Sequence, residues 1–172
     1  MKKIPLVLSI VLVVAILGAE FYYLQHIKKP TTSGANACPA IAKLCSDGSS
    51  VAPQGSDCAM AACPQEDQIQ ITQPFPNTGV TSPLTIQGKA KGNWFFEAVF
   101  PVKLYGANNQ LLAQGQAQAQ GNWMTTDLVP FTVTLNFTVL TSQTGTLVFH
   151  NDNPSGEPQN DHELDMPILL QP

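Results

Sequence analysis

The chain has 172 residues, 12% of them charged, a formal net charge of −4 and no arginine. That length suits one ordinary domain with appendages. From Glu66 onward nine acids face only three lysines, which leaves no basic patch for nucleic acid.

Lys2 and Lys3 precede an uncharged run from Ile4 to Ala19, interrupted by Glu20 and extended by Phe21-Tyr22-Tyr23-Leu24. A spanning helix needs about 20 mostly apolar residues, and aromatic rings at one end suit the membrane interface. The competing reading is a cleaved export signal, but Leu17-Gly18-Ala19 is a poor small-x-small site because the first residue is large. Residues 1–29 are therefore expected to be an uncleaved signal-anchor helix. Lys2, Lys3 and the amino terminus put three positive charges before the run, and Lys28 and Lys29 after it are offset by Glu20. That balance favours an N-terminus in the cytoplasm. The cysteines then decide for the rest of the chain outside it. Residues 30–37, small and polar, form a linker.

Cys38, Cys45, Cys58 and Cys63 are the only cysteines and fall within residues 38–64. An even number at close spacing behind an export signal reads as two disulfides in an oxidising compartment. Zinc would favour Cys-x2-Cys spacing with nearby histidines, which is missing. A segment this small cannot bury a core, so covalent links must hold it. Four cysteines allow three pairings, and spacing does not choose among them. Pro64-Gln65-Glu66-Asp67 is a hinge, after which a second domain, residues 66–172, begins.

In that domain seven segments alternate with a period of two, the signature of strands covered on one face. Residues 68–72 and 83–88 are the first two, the latter with Leu84 and Ile86 inward. Residues 92–105 are expected to be the organising strand. On a continuous strand Trp94, Phe96, Ala98, Phe100, Val102 and Leu104 share the inner face, and Phe95, Glu97, Val99, Pro101, Lys103 and Tyr105 the outer one. Residues 111–120 alternate glutamine with Ala113, Gly115, Ala117 and Ala119, whose small face is expected over Trp94, Phe96 and Phe100. Residues 130–139 place Phe131, Val133, Leu135, Phe137 and Val139 inward. Residues 144–149 and 164–169 complete the set, with Pro167 better suited to an edge. Gly-Asn-Trp occurs twice, at 92–94 and 121–123, each expected to mark a turn or bulge where glycine takes unusual angles and tryptophan re-enters the core.

Pro83-Leu84-Thr85-Ile86-x-Gly88, Gly92-Asn93-Trp94-Phe95-Phe96-Glu97-Ala98, Gly121-Asn122-Trp123-Met124-Thr125-Thr126 and Asn153-Pro154-Ser155-Gly156 stand in this order. Over residues 66–172 the chain resembles the immunoglobulin-like domain of bacterial spore germination and sporulation proteins. The resemblance implies an antiparallel β-sandwich used as an extracytoplasmic accessory or interaction module, and it carries no catalytic residues over.

Candidate chemistry is sparse. His150, Asp152, Glu157, Asp161, His162, Glu163 and Asp165 crowd one loop, yet the regular spacing of a calcium loop is missing. A solvated acidic hairpin loop is the simpler reading. No Gly-x-Ser-x-Gly elbow occurs, and no cofactor or metal is expected. Phe95, turned to the outer face, and Trp123 are the candidate binding surface, since exposed aromatic patches mark contact sites. The sequence thus points to a non-enzymatic, membrane-anchored binding or scaffolding module of the bacterial envelope. Its partners would be the membrane and another envelope protein or cell-wall component. The alternative is a cell-wall carbohydrate- or peptide-binding accessory that uses exposed aromatics.

Overall fold

Phe131, Val133 and Leu135 alternate with Thr132 and Thr134, so a strand through them has one dry face. That strand lies in the interior of the main sheet. The computed structural model describes residues 38–172, and the expected anchor helix and linker lie outside the described residues. Among the described residues no helix is long and apolar enough to cross a membrane.

Four two-residue strands come first: β1 (Lys43–Leu44), β2 (Ser50–Val51), β3 (Pro53–Gln54) and β4 (Ala59–Met60). They pair antiparallel as β1 with β2 and β3 with β4. Then follow β5 (Ile69–Gln73), β6 (Gly79–Val80), β7 (Leu84–Lys91), β8 (Val99–Gly106), β9 (Leu111–Ala119), β10 (Leu128–Leu135), β11 (Gln143–His150) and β12 (Glu163–Leu170). These eight form one sheet in the order β5-β7-β10-β9-β8-β11-β12-β6. The described chain is all-β, as the alternation predicts. β6 is the strand the sequence does not announce, two residues running parallel to the end of β12.

The sheet curls where pairing is thinnest. β9 and β10 share only Phe131–Ala119 and Thr132–Gln118, whereas β10 pairs with β7 over the whole of Leu128–Leu135. The two halves close on one core. Phe100 of β8 meets Phe131 of β10 edge-on at 4.9 Å, and Phe131 approaches Phe149 of β11 at 6.5 Å. Burying one such side chain contributes about 1.5–3 kcal/mol. Phe131, Val133, Leu135, Phe137 and Val139 are all buried, although the last two lie beyond the end of β10.

The organising strand differs from expectation. Gly92–Trp94 is a 3-10 turn, and regular strand begins only at Val99. Between them Phe96 and Val99 exchange backbone hydrogen bonds of 3.0 and 3.1 Å. Glu97 and Ala98, the two residues enclosed, have φ of 52° and 67°. Positive φ at both central residues is the pattern of a type I′ hairpin turn, so the chain reverses there. Across a hairpin, residues align as mirror partners: Phe96 with Val99, and Phe95 with Phe100. Phe95 therefore turns inward with Phe100 and is 4% exposed, while Phe96 turns outward and is 42% exposed. The expected faces of these two rings are interchanged. From Phe100 onward the predicted register holds, with Phe100, Val102 and Leu104 buried.

On β9 the glutamines point to solvent and Ala117 is buried. Ala117 lies beside Phe100 in register, and the small face also meets β10. A Cβ on Gly115 would stand 2.9 Å from Leu135 and 3.1 Å from Val133. Pro167 sits on β12 where that strand has little on one side. Its carbonyl accepts from Asn77 N–H at 2.7 Å, and the next residue facing that way, Leu169, donates to Thr78. The missing proline N–H therefore points to a stretch that β6 does not reach, as a proline in a sheet requires.

Candidate functional site

The two Gly-Asn-Trp segments meet at one end of the sandwich. A Cβ on Gly92 would lie 2.0 Å from the Thr125 carbonyl oxygen and 2.3 Å from that of Trp123. Glycine is required there by close approach rather than by an unusual angle; only Gly121, at φ 142°, takes the angle. Asn122 accepts the Met124 N–H on its side chain, which tightens the second turn. Trp94 is fully buried and edge-on to Phe100 at 5.6 Å. Trp123 is half-buried against the same core.

The acidic loop is fastened to this end. Asp152 N–H donates to the Trp94 carbonyl at 2.9 Å, and the His162 ring stacks on the Trp94 indole with centroids 6.4 Å apart. Asn151, 3% exposed, is the loop's internal peg. It donates to the Asn160 carbonyl and accepts the His162 N–H, both at 2.8 Å. Asn153 ties the tip by donating to the Glu157 carbonyl and the Asp161 carboxylate. Among the described residues no three His, Cys, Asp or Glu side chains converge. The acids project from a loop held by asparagines. The Trp94 Nε1 is buried with no hydrogen-bond partner among the described residues, and nothing in the structure explains it.

Of the two aromatic residues expected to form a binding surface, Phe95 is inside, its ring edge-on to Phe100 at 5.2 Å. Trp123 keeps part of its ring at the surface, and the exposed neighbours in sequence are Phe96 and Met124, the latter 74% exposed. The sequence missed Phe96 because the reversal at Glu97-Ala98 carries neither glycine nor asparagine. The outer face of β8, with Pro101, Lys103 and Tyr105, continues across Val148 and His150 of β11 to Glu163. It mixes charged and apolar side chains.

The four cysteines close as Cys38–Cys58 and Cys45–Cys63, and no free cysteine stands among the described residues. Of the three pairings open to the sequence, this one interleaves the two bridges. The stapled segment is seated on the sandwich. A Cβ on Gly48 would meet the Pro167 ring at 2.6 Å, and Gln65 donates to the Glu163 carbonyl at 2.6 Å. Lys43 is paired with Glu66. The lysine hydrogen bond, aided by the Cys63 N–H, holds the Glu66 carboxyl below its ordinary range.

Residues 68–157 match the sequence model of a family described as the immunoglobulin-like domain of bacterial spore germination. No curated protein matches the chain.

Proposed function

The chain belongs to the family of immunoglobulin-like domains of bacterial spore germination, and from that premise we propose that it is a membrane-anchored binding or scaffolding module on the outer side of the bacterial cell membrane. The family supplies a non-catalytic module. The address rests on the chain itself. Its carrying observation is that Cys38, Cys45, Cys58 and Cys63 all pair off within residues 38–64. Such a staple persists in an oxidising compartment and is rare where glutathione keeps thiols reduced. The mostly apolar stretch from Ile4 to Leu24 ahead of it, long enough to span a bilayer, supplies the tether, with the domain borders as read from the sequence. Burial of Phe95 removes half of the aromatic pair that a carbohydrate-binding accessory would use, which favours protein contact over glycan stacking.

The test is membrane fractionation with thiol labelling of intact cells. The reading expects the full-length chain in the membrane fraction, with cysteines unreactive to an impermeant maleimide until reductant is added. Cysteines that label only after lysis, without reductant, would place the domain in the cytoplasm and end the proposal.

A further inference from the structure

We propose that the Cys38–Cys58 bridge is a site of selective thiol–disulfide exchange, opened by a dithiol reductant while Cys45–Cys63 stays closed. The outward address argued above says only where such a reductant would be met. The chemistry is read from the two bridges themselves.

Loop length does not tell them apart. The bridges span sequence separations of 20 and 18 residues, and closure entropy grows only with the logarithm of that length. Burial does tell them apart. Cys45 is 2% exposed and Cys63 9%, whereas Cys38 and Cys58 are both partly open to solvent. Exchange needs a thiolate to reach one of the two sulfurs, so access favours the first bridge.

The backbone differs in the same direction. The Cys45 N–H donates to the Ser49 carbonyl, and the Cys45 carbonyl accepts the Gly48 N–H. The Cys63 N–H donates to the Glu66 carboxylate, which is itself paired with Lys43. Thiols formed at that bridge would be held side by side, an arrangement that favours reclosure. Cys58 instead ends the turn between β3 and β4 with φ 53°, a left-handed conformation unfavourable for a residue with a side chain. β3 and β4 match over two residue pairs and bury no residue. An isolated hairpin that short holds poorly in water, so opening its bridge lets the Cys58 backbone relax.

The step transfers two electrons. A thiolate of the dithiol attacks one sulfur, the S–S bond breaks, and the other cysteine leaves with the bonding pair and takes a proton. The second thiol of the dithiol loses its proton and displaces the cysteine still bound. The donor ends oxidised, as a disulfide, and Cys38 and Cys58 end reduced, as two thiols. What opens is residues 38–42 and the β3–β4 hairpin. β1, β2 and the contact of Gly48 with Pro167 stay with the closed half.

The experiment treats the purified full-length chain in detergent with dithiothreitol, quenches samples over time with N-ethylmaleimide and maps the alkylated cysteines by mass spectrometry. The expected result is alkylation of Cys38 and Cys58 about tenfold faster than of Cys45 and Cys63. Tryptophan emission should not change, because Trp94 and Trp123 pack in the sandwich, while amide exchange speeds up in β3 and β4. In concentrated urea, where loop length alone distinguishes the bridges, the two should be reduced alike. Equal rates in the native chain, no reaction at either bridge or faster opening of Cys45–Cys63 overturns the proposal. So does a preference that survives urea, a loss of native tryptophan emission when the first bridge opens, or unchanged exchange in β3 and β4. Where the chain sits in the cell does not enter these rates, so this test and the previous one fail separately.

Discussion

Replacing Phe95 and Phe96 one at a time by alanine tests the hairpin at Glu97-Ala98. Phe95 is 4% exposed and packs edge-on against Phe100, whose ring also touches Trp94 and Phe131. Truncating a phenylalanine in such a cluster costs about 3–5 kcal/mol, from lost transfer energy and the cavity left behind. About 0.5–1.5 kcal/mol of that belongs to the edge-to-face contact. Phe96 is 42% exposed, and its truncation should stay within about 1 kcal/mol. Set against a total stability of about 5–15 kcal/mol for a domain of this kind, the first change is serious and the second is not. Urea unfolding followed by tryptophan fluorescence reads both, because Trp94 is buried in the same cluster and Trp123 lies at its rim. The expected order is a large loss for Phe95→Ala and a small one for Phe96→Ala. Comparable losses, or the reverse order, would refute the reversal and restore a continuous strand through residues 92–105.

Ala98→Gly should stabilise the domain by about 1 kcal/mol, because Ala98 holds a left-handed φ of 67° that glycine adopts without penalty; thermal unfolding checks it. Gly92→Ala should cost about 1–3 kcal/mol, since the new methyl would collide with the carbonyls of Trp123 and Thr125. An unchanged melting temperature would mean the two Gly-Asn-Trp turns are not in contact. The Glu66 carboxyl, depressed by Lys43, should titrate below an ordinary glutamate in an NMR pH series and return to the usual range in Lys43→Ala. A folded-state pKa below the unfolded one makes this pair's contribution complete above the unfolded value. It is lost as pH falls through the depressed folded value, and it is small because both side chains are partly exposed to solvent.

How much of this was legible beforehand depends on whether one side of a segment is dry. Phe131, Val133 and Leu135 declare their strand because a one-residue slip would bury threonines and expose rings. The same holds for Leu84 and Ile86, and for Phe100, Val102 and Leu104. Residues 94–98 misled because four of the five are apolar, so either face could be taken as inner, and the turn there lacks the Asn-Gly chemistry that usually announces a type I′ reversal. β6 left no trace because two residues carry no period. The Gly-Asn-Trp echo was readable as two turns, but their contact depends on how β7 and β10 bring residues 92 and 125 together across the sheet. The cysteine pairing depended on three-dimensional proximity in the same way.

The stapled segment has a physical place in this architecture that its size alone does not suggest. A curled sheet that does not close into a barrel keeps two edges, here β5 and the β6–β12 side, and bare edges invite unwanted pairing. Gly48 packs on Pro167 and lies near Asn77, at the β6–β12 edge. Residues 43–46 with Cys63, Pro64 and Glu66 line the groove beside β5. One segment of 27 residues thus attends both edges. It can stay there without a core because each bridge removes about 2–4 kcal/mol of unfolded-state freedom. The β6–β12 edge is obstructed by direct contact. The β5 edge is only fenced, by residues that stand across a groove from it and do not pair with it among the described residues, so the segment blunts one edge by contact and the other by crowding.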